Sequence, residues 1–278
     1  MIKQFTEKDT ESYYDEEDKI YLTFWDKNGS VRWAIFENEN DEKDYVKASQ
    51  KLTDLMIAKS GINNNSNVLD IGCGNGVVDI YIAKKTDCKI TGIDLSGVRV
   101  NNAKNYLNNE SEDIKQSINF IKASGENLPF NNQTFTHVIS QAAIYHIHDK
   151  EKALSEIYRV LQDGGLFVFD DLFKPKQEIS AEGEKYVYER LMFDTDFSFQ
   201  SYREYLKSLG FTIVEAKDLS EHLKKSYFVI SNILENKLKN KENEEYTDRY
   251  KYLIKAYDET QKSVDRNEVG WAMYLAKK

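Results

Sequence analysis

At 278 residues, with 40% apolar and 13% aromatic side chains, the chain can hold one large domain with a modest cap. Its 38 basic and 47 acidic residues leave a formal charge of −9, which argues against a nucleic-acid partner, and two cysteines, Cys73 and Cys88, make neither a disulfide framework nor a metal cluster. No apolar leader opens the sequence and no run approaches the ~18 residues of a membrane span, so the expectation is a cytoplasmic monomer or homodimer without membrane insertion or metal.

Residues 1–12 are polar and read as a frayed end or a segment that folds over a ligand. Residues 13–36 hold Tyr13, Tyr14, Tyr21, Phe24, Trp25, Trp33 and Phe36. They read as an amphipathic helix packed on the domain, as a lid whose rings line a substrate and hold a small organic cation by cation–π attraction, or as both. A helix over 41–59, with Tyr45, Ala48, Leu52, Leu55 and Met56 on one face, ends at Gly61. Residues 1–60 are thus expected to form a helical lid.

Residues 68–71 are a short apolar run followed at once by Gly72, Gly74 and Gly76, and residues 77–85 carry apolar side chains at helical spacing. The glycines therefore sit in a strand-to-helix turn, where φ > 0 or a ligand's close approach excludes Cβ, and the helix N-terminus points at whatever lies there. A second strand, 89–93, ends in Asp94, placed to take the two hydroxyls of a ribose. The dinucleotide pattern G-x-G-x-x-G fails at Val77; the pattern present is Asp70-x-Gly72-x-Gly74-x-Gly76. Alternation continues with a helix over 96–107, strands over 118–121 and 137–140, a helix over 150–161 and a strand over 166–169, which implies a parallel sheet buried on both faces. Residues 174–209 break the alternation and read as one or two cap helices above the strand ends. A strand over 211–216, a long charged helix over 219–257 and a last strand over 271–276 complete the main unit, 61–278.

The glycine pattern resembles motif I of the class I S-adenosylmethionine-dependent methyltransferases, in which the glycines pass under the methionine end and the acid after strand two holds the ribose. Glu126-Asn127-Leu128-Pro129-Phe130, and Glu156-x-x-Arg159-Val160-Leu161-x-x-Gly164-Gly165, are similar to further stretches of that family. The implied fold is α/β: a Rossmann-like, seven-stranded, mostly parallel sheet with helices on both faces, an N-terminal aromatic lid and a helical cap. The implied cofactor is S-adenosyl-L-methionine, with S-adenosylhomocysteine as product. Shorter matches at Tyr13-Tyr14-Asp15, at residues 140–146, at Tyr186-Val187-x-x-Arg190 and at Gly270-Trp271 resemble the glycine/sarcosine/dimethylglycine and phosphoethanolamine N-methyltransferases. Ala142 stands where those enzymes carry an acid for the amine, Ser124 where an acid meets adenine, and Met192 where the phosphobase enzymes carry a phosphate-binding tyrosine.

The expected cofactor residues are Asp70, Gly72, Gly74, Gly76, Asp94, Leu95, Ser124, Gly125 and Gln141. His146, past strand four, is either a base for the acceptor or a packing residue at a helix start. The resemblance pairs it with Tyr13 as a latch over the donor. Tyr14, Tyr21 and Trp25 are expected at the substrate. Arg190 with Tyr186, and then Arg32, would hold a carboxylate or phosphate, unless they are surface ion pairs. Asp171 is a further pocket candidate; His137 reads as core, His148 and His222 as surface. The expected function is methylation of a small amino-acid-type amine such as sarcosine or dimethylglycine. Carbon, oxygen or sulfur methylation of an apolar or thioether acceptor, and phosphoethanolamine methylation, stay open. A nucleotide sensor without catalysis is disfavoured by the intact Asp70, glycines and Asp94.

Overall fold

The computed structural model describes residues 5–27, 29–192, 195 and 197–278. Residues 1–4 of the expected N-terminal fray, and 193, 194 and 196 of the expected cap, lie outside them. Helix α1 (Glu7–Tyr21) starts where the Asp9 N–H donates to Thr6 Oγ1 and the Thr6 N–H donates to Asp9 Oδ2, a reciprocal cap. It ends at Tyr21, and the described part of 22–38 carries no helix or strand, so the helix expected over 13–36 is corrected to an earlier one. Helix α2 (Tyr45–Ser60) is capped by Asp44 and closed by Gly61 at φ +68°; the first residues of the helix expected there form a 3-10 turn, Glu39–Lys43.

The α/β unit then runs β1 (Asn67–Ile71), α3 (Val77–Thr86), β2 (Lys89–Asp94), α4 (Gly97–Leu107), α5 (Glu112–Ser117), β3 (Ile118–Lys122), β4 (Phe135–Gln141), α6 (Lys150–Val160) and β5 (Leu161–Phe173). After it come α7 (Ala181–Gly183), which continues as a π-helical turn Glu184–Glu189, then α8 (Phe199–Ser208), β6 (Thr212–Asp218), α9 (Ser220–Lys239), α10 (Thr247–Asp265) and β7 (Gly270–Lys277). All seven strands join one sheet in the order β3-β2-β1-β4-β5-β7-β6. Neighbours are parallel from β3 to β5, and β7 is antiparallel to both β5 and β6. The last strand therefore slots inside the sheet.

Side chains alternate across the sheet, as a two-residue period requires. Val68, Ile139, Val168 and Met273 face one apolar cluster, shared with α2 and α9; Leu69, Val138, Phe167 and Tyr274 face the other, shared with α6 and α8. Two expectations change here. The helix over 219–257 is a hairpin of two helices, α9 and α10, reversed where Lys241 and Asn243 take left-handed φ of +55° and +52°. Of the expected cap over 174–209, α8 packs on the sheet beside β6 and β7, while α7 and its π turn pack against α10. Among the described residues no helix is long and apolar enough to cross a membrane.

Candidate active site

A cavity of about 1060 Å3 opens at the C-terminal ends of β1, β2 and β4, where the strand order reverses. Asp70, Gly72, Gly74, Asp94, Leu95 and Gln141 line it, and Ser124 and Gly125 line its far end after β3. Gly72 sits at φ +80° with its N–H bonded to the Ile93 carbonyl (2.8 Å); a Cβ there would fall 2.2 Å from the Ala143 Cβ. Gly74 has room: the nearest atom to a Cβ is Arg99 Nη1 at 3.7 Å. Gly76 does not line the cavity. A Cβ on it would lie 2.5 Å from Phe120 Cζ and 2.8 Å from Ala103 Cβ, so its role is to let α3 pack against β3 and α4.

Asp94 accepts the Gly74 N–H on Oδ2 (2.9 Å) and the Ser96 N–H on Oδ1 (2.8 Å), which fixes its carboxylate at the cavity wall with a second lone pair left on each oxygen. That is the acceptor pair a ribose diol needs. Beneath the glycines, Asp70 and Asp79 are buried against each other. Burial lifts both carboxyls above the usual range, aided by the charge of Asp94 at Asp70 and by that of Asp70 at Asp79, the further raised, while Asp79 hydrogen-bonds Asp70, so the pair retains a proton. No sequence pattern had marked Asp79 for this role.

Helix α1 lies across the mouth. Ser124 Oγ donates to Glu7, Lys122 pairs with Glu11 (2.5 Å), Ser96 Oγ donates to Asp15 (2.5 Å), and Asn75 Nδ2 donates to Asp18 (3.0 Å), which also pairs with Arg99 (3.3 Å). The tyrosine of α1 that meets His146 is Tyr14, whose hydroxyl bonds Nε2; Tyr13 turns away and bonds the Tyr21 hydroxyl (2.5 Å). The expected Tyr13 latch is corrected to Tyr14. Arg99, which the sequence reading missed, stacks its guanidinium 3.9 Å from the Tyr14 ring centroid. Burial, then the charges of Lys150 and Arg99, push the His146 imidazole well below its ordinary value, and it is neutral at physiological pH.

Behind Tyr14, a second, smaller chamber of about 350 Å3 shares Tyr14, Val31, Arg32 and Ala142 with the first. Tyr13, Tyr21, Trp25, Trp33, Tyr145 and Tyr227 supply aromatic walls, and Arg190 a second guanidinium. Arg190 is buried: Nε donates to the Tyr186 carbonyl (2.8 Å) and Nη2 to Tyr227 and Thr260 hydroxyls (3.3 Å each). Arg32 is buried too, bonded to Ser49 (3.3 Å) and Thr53 (3.1 Å), and burial pulls it down to about 10 against the opposing charge of Asp26. Neither arginine forms an ion pair among the described residues. The Tyr186 ring instead packs between Lys185 and Lys255, outside both cavities.

Asp171 accepts the Tyr202 hydroxyl (2.9 Å) and lines neither cavity; its neighbour Asp170 accepts the Trp271 indole N–H (2.8 Å) and the Ala142 N–H (3.3 Å), holding Ala142 at φ +51°. Burial lifts both to about 7. His137 bonds Thr136 and the Ser60 carbonyl and is structural, and His148 is exposed. His222 is half-buried and accepts the Phe36 N–H (3.2 Å), correcting its expected surface position.

The family model for a methyltransferase domain matches residues 69–169. A sarcosine/dimethylglycine N-methyltransferase of Halorhodospira halochloris is 30% identical over 86% of this chain and 86% of its own length. A glycine/sarcosine/dimethylglycine N-methyltransferase of Actinopolyspora halophila is 30% identical over 81% of this chain, which spans only 39% of that longer protein. The solved cyclopropane synthase MmaA2 of Mycobacterium tuberculosis has the same fold, with a TM-score of 0.86 and 17% identity over 99% of both chains. An open glycine cradle, a fixed carboxylate at the second strand end and a cavity of nucleoside size fit S-adenosylmethionine. The chain belongs to the class I S-adenosylmethionine-dependent methyltransferases.

Proposed function

We propose that the acceptor is a small amine carrying a carboxylate, such as sarcosine or dimethylglycine. The observation that carries this reading is the inner chamber: two buried guanidiniums that form no ion pair among the described residues, Arg190 bonded to neutral groups and Arg32, on the wall shared with the cofactor cavity, opposed only at a distance by Asp26. Burying a cation without a direct ion pair is costly, and an anionic ligand group relieves that cost while gaining a planar two-pronged contact. When bound, S-adenosylmethionine supplies an electrophilic methyl group on a sulfonium. The chain's own contribution is to anchor, aim and dry the acceptor. Arg190 and Arg32 hold the carboxylate, and the rings of Tyr14, Trp33 and Tyr145 face the nitrogen, whose growing positive charge they favour. The neutral His146 orients the Tyr14 hydroxyl and can relay, but not store, the proton the amine must lose first.

The inner chamber is small and closely walled by aromatic rings and the two arginines, which suits a compact acceptor. Ala142, with no charge to offer an amine, and the aromatic walls favour the second reading: carbon, oxygen or sulfur methylation of a compact apolar acceptor. A methyl-transfer screen of glycine, sarcosine, dimethylglycine, phosphoethanolamine and apolar acceptors separates them. Turnover of sarcosine or dimethylglycine supports the first reading; silence on every amine with turnover of an apolar acceptor supports the second.

A further inference from the structure

We propose that Glu7, on the lid helix, is the residue that selects the cofactor's base, accepting the exocyclic amine of adenine. A ribose held at Asp94, at the end of β2, directs its base to the next strand outward, whose end (Ala123, Ser124 and Gly125) lines the same cavity. Adenine presents an N–H2 donor there and needs an acceptor. Ser124 Oγ accepts the Glu126 N–H (3.0 Å) and donates its own proton to Glu7 Oε1, which leaves it one uncharged lone pair, a weaker acceptor than a carboxylate. The carboxylate of Glu126 is turned outward, accepting the Asp149 N–H (2.9 Å) at the start of α6. Glu11, one helical turn beyond Glu7, is neutralised by Lys122 (2.5 Å). Glu7 is different. It lines the cavity, is half-buried, and its Oε1 is steered by Ser124, while among the described residues it forms no ion pair and its other oxygen accepts no hydrogen bond.

This arrangement puts a base-reading group on the lid instead of on the sheet. Bound cofactor then helps hold α1 in place, and a carboxylate that can only accept rejects a base with an oxygen at that position. The inference does not depend on which acceptor is methylated.

The test is calorimetric titration of wild type, Glu7→Gln and Glu11→Gln with S-adenosylhomocysteine and with S-inosylhomocysteine, which carries a 6-oxo group in place of the amine. The expected result is at least tenfold preference for the adenosyl ligand in wild type, collapse of that ratio in Glu7→Gln, and an unchanged ratio in Glu11→Gln. A wild-type ratio near one, a ratio retained in Glu7→Gln, or an equal loss in both variants would overturn the assignment. Absence of any S-adenosylhomocysteine binding to wild type would instead contradict the cofactor itself.

Discussion

Adding one methyl group to Gly74 or to Gly76 should separate cofactor binding from folding. Both residues have left-handed φ, +54° and +72°, so alanine costs about 1–2 kcal/mol in backbone strain at either site. At Gly76 the new Cβ also lies 2.5 Å from Phe120 Cζ and 2.8 Å from the Ala103 Cβ, both inside the core. Overpacking of that kind adds roughly 1–3 kcal/mol, for a total of about 2–5 kcal/mol, a large part of a typical domain's ~5–15 kcal/mol. At Gly74 the nearest atom is 3.7 Å away, so stability should fall by the strain alone, but the methyl group takes space on the cavity wall. Urea denaturation should therefore show Gly76→Ala as the less stable variant. Calorimetry with S-adenosylhomocysteine should show at least tenfold weaker binding by Gly74→Ala, a loss of about 1.4 kcal/mol. Wild-type affinity in Gly74→Ala, or equal stability of the two variants, would refute the division of labour drawn between these glycines.

Two further outcomes follow from the same geometry. Tyr14→Phe should lower kcat more than Tyr13→Phe, because only Tyr14 bonds His146; equal kcat values in the two variants would refute that pairing. Asp79→Asn should gain stability over wild type as pH rises above about 4. The folded state holds a proton on the Asp70–Asp79 pair that the unfolded chain releases, so rising pH costs the wild type stability that an uncharged amide does not lose. Thermal melts of both proteins from pH 5 to 8 should show a widening gap, and a constant gap would contradict the shared proton.

The glycine turn and Asp94 were legible because a strand, a tight turn and a helix within about 25 residues fix their relative places. The seven strands were legible for a similar reason, each being a short apolar run. What escaped were contacts between distant segments. Tyr14 meets His146 across 132 positions, and adjacent tyrosines on a helix differ by about 100° in direction, so choosing between Tyr13 and Tyr14 needed the helix phase. A signal was present: Glu7, Glu11, Tyr14 and Asp18 recur at helical spacing and share the face that lies on the cavity mouth. Burial of Arg190 was equally hidden, since its companions Tyr227 and Thr260 come from the α9–α10 hairpin, which read as one helix. The placement of β7 between β5 and β6 depends on pairing that no local pattern records.

The claim that the inner chamber reads a carboxylate is tested most directly by comparing methyl transfer to dimethylglycine with transfer to its neutral amide. The two differ only in the group that Arg190 and Arg32 would hold. The account predicts turnover of the acid with kcat/KM at least a hundredfold above that of the amide, about 2.7 kcal/mol, the scale of a bidentate charged contact. Equal rates for acid and amide, or turnover of neither beside turnover of an apolar acceptor, would contradict it.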